Sequence, residues 1–227
     1  LRVFASPAFT LAIVLMVAAM ATMMGTFIVV PYFAQEVLQL SPSATGLLML
    51  PGGLLMGLAA PLIGRIYDAR GARILVIPGT LLIASGVWLL TLVTSGASAW
   101  LLVGGQTVLC LGLAATFTPL MTLSLSSLTP RLYSHGSAVL GTLQQVAGAA
   151  GTALFITIMT VVSTADQDAG VAGPDAITNG VRTVFYCAGA LALVVVALGL
   201  LVRTPKESDA AVPDDERPAR EKVDALD

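Results

Sequence analysis

The 57 residues from 74 to 130 carry no charged side chain. Shorter uncharged stretches cover 3–35, 37–64 and 183–202, and between Arg131 and Asp166 the ionisable candidates are Tyr133 and His135. A helix that crosses a bilayer needs roughly 20 predominantly apolar residues. In chain order the stretches therefore hold one helix, one, two, one and one, with expected spans of about 8–31, 45–64, 74–94, 99–122, 136–162 and 182–202. The long stretch divides at Thr94–Ser98, a short turn of polar and small residues before Trp100. The fold class this implies is all-α integral membrane, with six transmembrane helices.

A water-soluble reading fails on charge. Only 11% of the residues are charged, where a soluble domain carries roughly 25%. Of the 24 charged side chains 13 lie between Arg203 and Asp227, which leaves 11 for the first 202 residues. So few charges cannot clothe a globular surface of that size. The last stretch, 204–227, mixes charges with Pro205, Pro213 and Pro218 and is expected to be a disordered extension. The first apolar stretch is too long and too poor in basic residues for a signal peptide, and five more follow it. A start at Leu1 suggests a fragment. Cys110 and Cys187 fall inside expected helices and read as packing residues rather than a disulfide or a metal site.

Lysine and arginine set the orientation. With both termini cytoplasmic, the inner segments hold Arg2, Arg65, Arg70, Arg73, Arg131, Arg203 and Lys206, and the outer ones hold only Arg182, beside Asp166, Asp168 and Asp175. The bias falls consistently on alternate loops, as the positive-inside rule requires.

Small and polar residues are unevenly shared. Gly52, Gly53 and Gly57 follow Pro51 on the second helix, and Ser137, Gly141, Ala147, Gly148 and Gly151 recur on the fifth. Such residues let backbones approach closely in lipid, either as static packing or as a sliding contact. Thr22, Thr26 and Phe27 lie on the first helix with four methionines, Met16, Met20, Met23 and Met24. Gln106, Thr107, Thr116, Phe117 and Thr118 lie on the fourth, and Gln144 and Gln145 on the fifth. Buried amides in a membrane must face protein or water. Helices one, four and five are thus expected to line something, and the more uniformly aliphatic third and sixth to face lipid.

The loop after the second helix reads Gly64-Arg65-Ile66-Tyr67-Asp68-Ala69-Arg70-Gly71-Ala72-Arg73. Through Gly64, Arg65, Asp68, Arg70, Gly71 and Arg73 it resembles the cytoplasmic signature loop of the major facilitator superfamily, with Ile66 where leucine is usual. The glycines suit a tight turn, and Asp68 is expected to pair with an arginine or cap a helix N-terminus, holding one conformation shut. The stretches Leu38–Leu47, Leu50–Gly52, Pro61–Gly64 and Gly141–Gly151 resemble the second half of the fourteen-helix drug:proton antiporters. The resemblance covers residues 1–203. It implies the C-terminal six-helix half of a transporter, built as two inverted three-helix repeats, with helices one, two, four and five facing a central cavity. Thr26, Phe27, Gln106, Thr116, Phe117, Gln144 and Gln145 are then the expected cavity residues. The implied partners are a small amphipathic substrate, the lipid bilayer of the plasma membrane, and protons handled by a missing N-terminal half. Neither cofactor, metal nor nucleic acid is expected.

Proton coupling needs an ionisable group tuned inside the membrane, and this chain has none well inside a span. Glu36 sits at the outer end of the first helix, Asp68 in the inner loop, Asp166, Asp168 and Asp175 outside, and His135 at the inner mouth of the fifth helix. An intramembrane serine protease would need a Gly-x-Ser setting and a histidine at membrane depth. Ile83-Ala84-Ser85-Gly86 lacks the leading glycine, and His135 is interfacial, so no enzyme is expected. No charged ring suggests a channel filter. A non-transporting six-helix scaffold or sensor is the remaining alternative.

The orientation can be tested by cysteine labelling on a background lacking Cys110 and Cys187. An impermeant thiol reagent outside the cell should modify Gly170→Cys and spare Ala69→Cys. The reverse pattern would invert the topology.

Overall fold

The computed structural model describes residues 6–96, 98–129 and 132–201. They form six helices: α1 Pro7–Glu36, α2 Pro42–Arg70, α3 Arg73–Leu90, α4 Ala99–Ser126, α5 Tyr133–Asp168 and α6 Gly173–Gly199. All six are long and apolar enough to cross a membrane. The expected split of the long uncharged stretch is present, since α3 ends at Leu90 and α4 begins at Ala99. The last two helices outrun their expected spans. Asp166 and Asp168 lie on α5, and Asp175 and Arg182 on α6, although all four read as loop in the sequence. Charge marks where hydrocarbon ends, whereas helical hydrogen bonding continues into the interface. The expected extension 204–227 lies outside the described residues.

Local chemistry explains where the helices start. Ser6 and Ser41 cap α1 and α2, their hydroxyls accepting from Phe9 N at 3.4 Å and Ala44 N at 3.2 Å. In each case a proline follows at the first helical position, where a missing N–H costs nothing. Ser98 caps α4 by accepting from Trp100 N at 3.3 Å. Interior prolines, Pro31 in α1, Pro51 and Pro61 in α2, Pro78 in α3 and Pro119 in α4, are carried without breaking the helices. Neighbouring helices make this tolerable in a membrane bundle.

Contacts at glycines fix the directions of the helices. Between α3 and α4 the neighbours are Gly79 and Thr116, Ile83 and Gly112, Gly86 and Leu109, and Leu90 and Gly105, so these two helices run antiparallel. Between α1 and α5 they are Phe9 and Gly136, Ala21 and Gly151, and Gly25 and Phe155, so this pair runs parallel. Trp88 meets Gly189 and Thr80 meets Gly199, which sets α3 antiparallel to α6. The chain thus traverses the bundle in alternating directions.

The packing is that of two exchanged triplets. α3 lies along α4 and α6, α2 packs chiefly on α4, α5 packs on α1 and α6, and α1 also touches α4 and α6. Swapping α1 with α4, α2 with α5 and α3 with α6 returns nearly the same set of neighbours. A triplet has an odd number of crossings, so its repeat enters the membrane inverted. The symmetry is imperfect, because α5 packs broadly on α6 while α2 barely meets α3. The middle helix of each triplet is therefore held by the first helix of the other triplet.

Two apolar clusters fill the interior. One joins Phe9, Ile13, Met16, Val76, Leu120 and Leu140 near the 64–73 loop. The other joins Val29, Phe33, Val87, Leu102, Leu109 and Phe185 toward the far end. α3 and α6 leave Leu81, Leu89, Leu193 and Val194 exposed. α2 is unlike its neighbours. Leu47, Leu50, Leu54, Leu58 and Leu62 are all exposed along it.

A close backbone approach in the core gives a prediction. A Cβ on Gly112 would lie 2.5 Å from the Ile83 nitrogen, whereas one on Gly57 would meet nothing within 4 Å. Gly112→Leu should destabilise the bundle by about 1–3 kcal/mol or more, the usual cost of overpacking. Gly57→Leu should leave its thermal unfolding in detergent unchanged. Equal melting of the two variants would contradict this packing.

Candidate functional site

The polar residues on α1 and α4 form a buried layer. Thr26 is fully buried, and Gln106 is 1% exposed. Thr26 stands ten residues from the end of α1, and Gln106 seven residues from the start of α4, both measured from the end of the bundle opposite the 64–73 loop. At 1.5 Å per residue these depths are about 15 and 11 Å. Gln106 Nε2 donates to Cys110 Sγ at 3.8 Å, one turn along the same helix. Cys110 in turn faces Gly52, so this amide sits at the seam between α2 and α4.

Three oxygens of this layer have no hydrogen-bond partner: Thr26 Oγ1, Gln106 Oε1 and Thr107 Oγ1. Ser163 Oγ, between α5 and α6 beside Gly180, is the fourth buried oxygen in that condition. Most buried threonine hydroxyls here bond a carbonyl of their own helix, as Thr22 does to Ala18 O at 2.9 Å. An unmatched buried acceptor costs about 1–3 kcal/mol, so each such oxygen calls for an explanation. Thr107 was visible in sequence only as one of several polar residues on the helix, because burial and pairing are not written in composition.

The other expected cavity residues separate. Thr116 donates its hydroxyl to Gly112 O at 2.8 Å and packs on Gly79 of α3, so it belongs to the α3–α4 contact. Phe27 and Phe117 are half-buried, and Phe117 touches both apolar clusters. On α5 Gln144 is half-buried, on the side of Gly148 and Gly151 that meets α1, whereas Gln145 is exposed. The structure brings together Thr26, Gln106 and Thr107 by depth and leaves the α5 glutamines outside that buried layer. A separate groove of about 290 Å³ opens between Met121, Thr122, Leu125, Ser126 and Tyr133, near the 64–73 end.

The signature loop is a tight helix-to-helix turn. α2 continues through Arg70, Gly71 turns the chain with φ 77°, and its N–H donates to Tyr67 O at 2.7 Å. That positive φ is the reason for glycine here. Ala72 is buried, and α3 starts at Arg73. Gly64, Arg65, Asp68, Arg70 and Arg73 all lie on the two helices rather than in a loop. Arg65, Asp68, Arg70 and Arg73 are exposed. No ion pair or hydrogen bond holds the Asp68 carboxylate among the described residues, and α3 has Ala72 at its N-cap with no side-chain cap. The reason is geometric: α2 carries Asp68 outward one turn before the chain reverses. Tyr67, its neighbour, instead turns inward to the Ser126 hydroxyl at the end of α4.

Among the described residues no three of His, Cys, Asp and Glu gather in a way that could hold a metal ion. The two cysteines are free, Cys110 buried and Cys187 exposed.

A six-helix apolar bundle of exchanged triplets, with buried polar oxygens on its first and fourth helices, defines a multi-pass membrane protein of the inverted-repeat class. Comparison with known proteins gives the family. The profile of the Major Facilitator Superfamily matches residues 11–225, and the chain belongs to that superfamily. It is similar to the lincomycin resistance protein LmrB of Listeria monocytogenes, 36% identical over 211 residues, which is 91% of this chain and 45% of that protein. It is also similar to the LmrB of Bacillus subtilis, 34% identical over 88% of this chain and 42% of the relative. A multidrug resistance protein B homolog of Mycobacterium tuberculosis is 30% identical over 70% of this chain and 30% of its own length. The chain thus spans less than half the length of these curated relatives.

Because no described residue forms an ion pair or hydrogen bond with the exposed Asp68 carboxylate, Asp68→Asn should shift unfolding stability by less than about 0.5 kcal/mol, the usual range for an exposed site. A larger loss, read by thermal unfolding in detergent, would mean that the carboxylate is held in this state.

Proposed function

We propose that this chain is the C-terminal half of a proton-coupled antiporter that exports small, amphipathic molecules by alternating access. The reading rests on the buried, unmatched oxygens of Thr26, Gln106 and Thr107. In an apolar bundle they are costly unless a substrate or water donates to them in part of the cycle. Resistance to lincomycin and to multiple drugs, named for relatives about twice this length, supports a drug-like cargo. Phe27, Phe117 and the methionines of α1 supply adaptable apolar walls beside the polar groups.

The remaining half supplies what this one lacks. Glu36, Asp68, Asp166, Asp168 and Asp175 lie in the end turns of their helices or a few residues from an end. Proton coupling is therefore assigned to carboxylates outside this chain. The open glycine face of α2, where Gly53, Gly57 and Gly64 meet nothing within 4 Å, is the surface against which the companion half moves. Asp68 and its arginines then engage only in the other conformational state. Both termini are placed in the cytoplasm and the protein in the plasma membrane, on the basic-residue bias.

Gln106→Leu separates a binding role from a structural one in the full-length protein that carries this chain. Removing an unmatched buried acceptor should leave stability equal or higher, while transport of some compounds falls and that of others is spared. Gln145→Ala, on the exposed side of α5, gives the comparison. A uniform loss for every compound, in step with lost membrane expression, would make Gln106 a structural residue and remove the support for this cavity.

A further inference from the structure

Arg182 is set apart from the other described arginines. Arg65, Arg70 and Arg73 gather at the signature-loop end, whereas Arg182 Nε donates to Thr91 O at 3.3 Å, at the far end of α3. Its Nη2 donates to Tyr186 Oη at 3.2 Å, and its guanidinium carbon lies 5.9 Å from the centre of the Tyr186 ring. The Tyr186 ring meets Trp88 edge-on with centroids 6.2 Å apart. Gly189 lies under the Trp88 indole and leaves room for it in the seam between α3 and α6. Trp88 and Tyr186 are 41% and 45% exposed, so this seam is open to its surroundings.

What the cluster lacks is an anion. Asp166, on the same end of the bundle, is taken by Asn179 Nδ2 at 2.7 Å, and Asp168 and Asp175 are exposed without a partner among the described residues. None of the described carboxylates pairs with Arg182. A guanidinium has five N–H donors, and the described bonds use two of them. The Tyr186 hydroxyl, already accepting, retains its own proton to give, and the Trp88 indole N–H has no acceptor among the described residues. Unused donors of Arg182, Tyr186 and Trp88 therefore gather at this seam with no carboxylate beside them among the described residues.

We propose that Arg182, Tyr186 and Trp88 bind the head-group phosphate of an anionic phospholipid at the α3–α6 seam. Arginine matches a phosphate with two parallel hydrogen bonds, and tryptophan and tyrosine mark the level of head groups in a bilayer. A free phosphate would use the same donors. The lipid is favoured because Leu81 on α3 and Leu193 on α6, each two helical turns from Trp88 and Tyr186 toward the membrane centre, are exposed aliphatic side chains. Acyl chains fit that surface, and a soluble anion has no use for it.

The chain has two tryptophans, so Trp100→Phe leaves Trp88 as a single fluorescent reporter. In phosphatidylcholine vesicles, brominated phosphatidylglycerol should half-quench Trp88 at a mole fraction about fivefold lower than brominated phosphatidylcholine, the scale of one interfacial basic residue meeting an anionic lipid. Arg182→Gln should abolish that preference. Equal curves for the two lipids, or a preference that survives Arg182→Gln, would overturn the site. Relief of quenching by inorganic phosphate in the aqueous phase would overturn the lipid assignment in favour of a soluble anion. Arg182 also holds the end of α3, so Tyr186→Phe covers the case in which the glutamine variant does not fold. It keeps the ring against Trp88 and should still weaken the preference, and an unchanged preference in a folded Tyr186→Phe chain would count against the site.

Discussion

Lipid offers helices no hydrophobic reason to associate, because its tails are as apolar as leucine. The bundle therefore depends on backbones that come close enough for dispersion to act along their whole length. α3 and α4 do so most fully. Gly86 sits against the backbone of Gly105 and Leu109, and Gly112 against that of Gly79 and Ile83. Each glycine removes the side chain that would hold the helices apart. With this pair fixed, α2 has α4 to pack on and α6 has α3, and the rest of the arrangement follows from these contacts. Gly151 against the backbone of Ala21 plays the corresponding part between α5 and α1.

The exchanged packing has a mechanical consequence. Because α2 rests on α4 and barely on α3, it is tied to the second triplet more than to its own. α5 is tied to the first triplet through α1, and also to α6. The two triplets cannot separate without losing the contacts that hold both middle helices. α2 is the least enclosed part of the bundle, with Pro51 and Pro61 inside it and glycines on its open side. Gln106, buried where α2 rests on α4, places a polar group at the contact between the two triplets.

Arg182 shows the same economy at the far end. A basic residue there runs against the charge bias of the rest of the chain, and its hydrogen bond to Thr91 O explains its structural use. That carbonyl lies at the C-terminal end of α3, where the helix dipole favours a cation. The Tyr186 ring and the open seam then give the remaining donors somewhere to act.

The number of helices, their order and the turn at Gly71 were legible in the sequence, because uncharged length and a glycine-bearing reversal are local properties. The small-residue positions were legible too, but not their partners. Gly148 and Gly151 pack on α1, and Gly52 on α4, while a Cβ on Gly53 or Gly57 would meet no described residue within 4 Å. Spacing along one helix cannot say which neighbour a face receives. The same limit governed the site: Thr116 turns to α3 and Asp68 turns to solvent, although both belong to stretches that looked functional. Hydrophobic length, read one helix at a time, determined that this chain spans a membrane six times. Only the tertiary packing decided which oxygens were left without partners, because pairing depends on residues far apart in the chain.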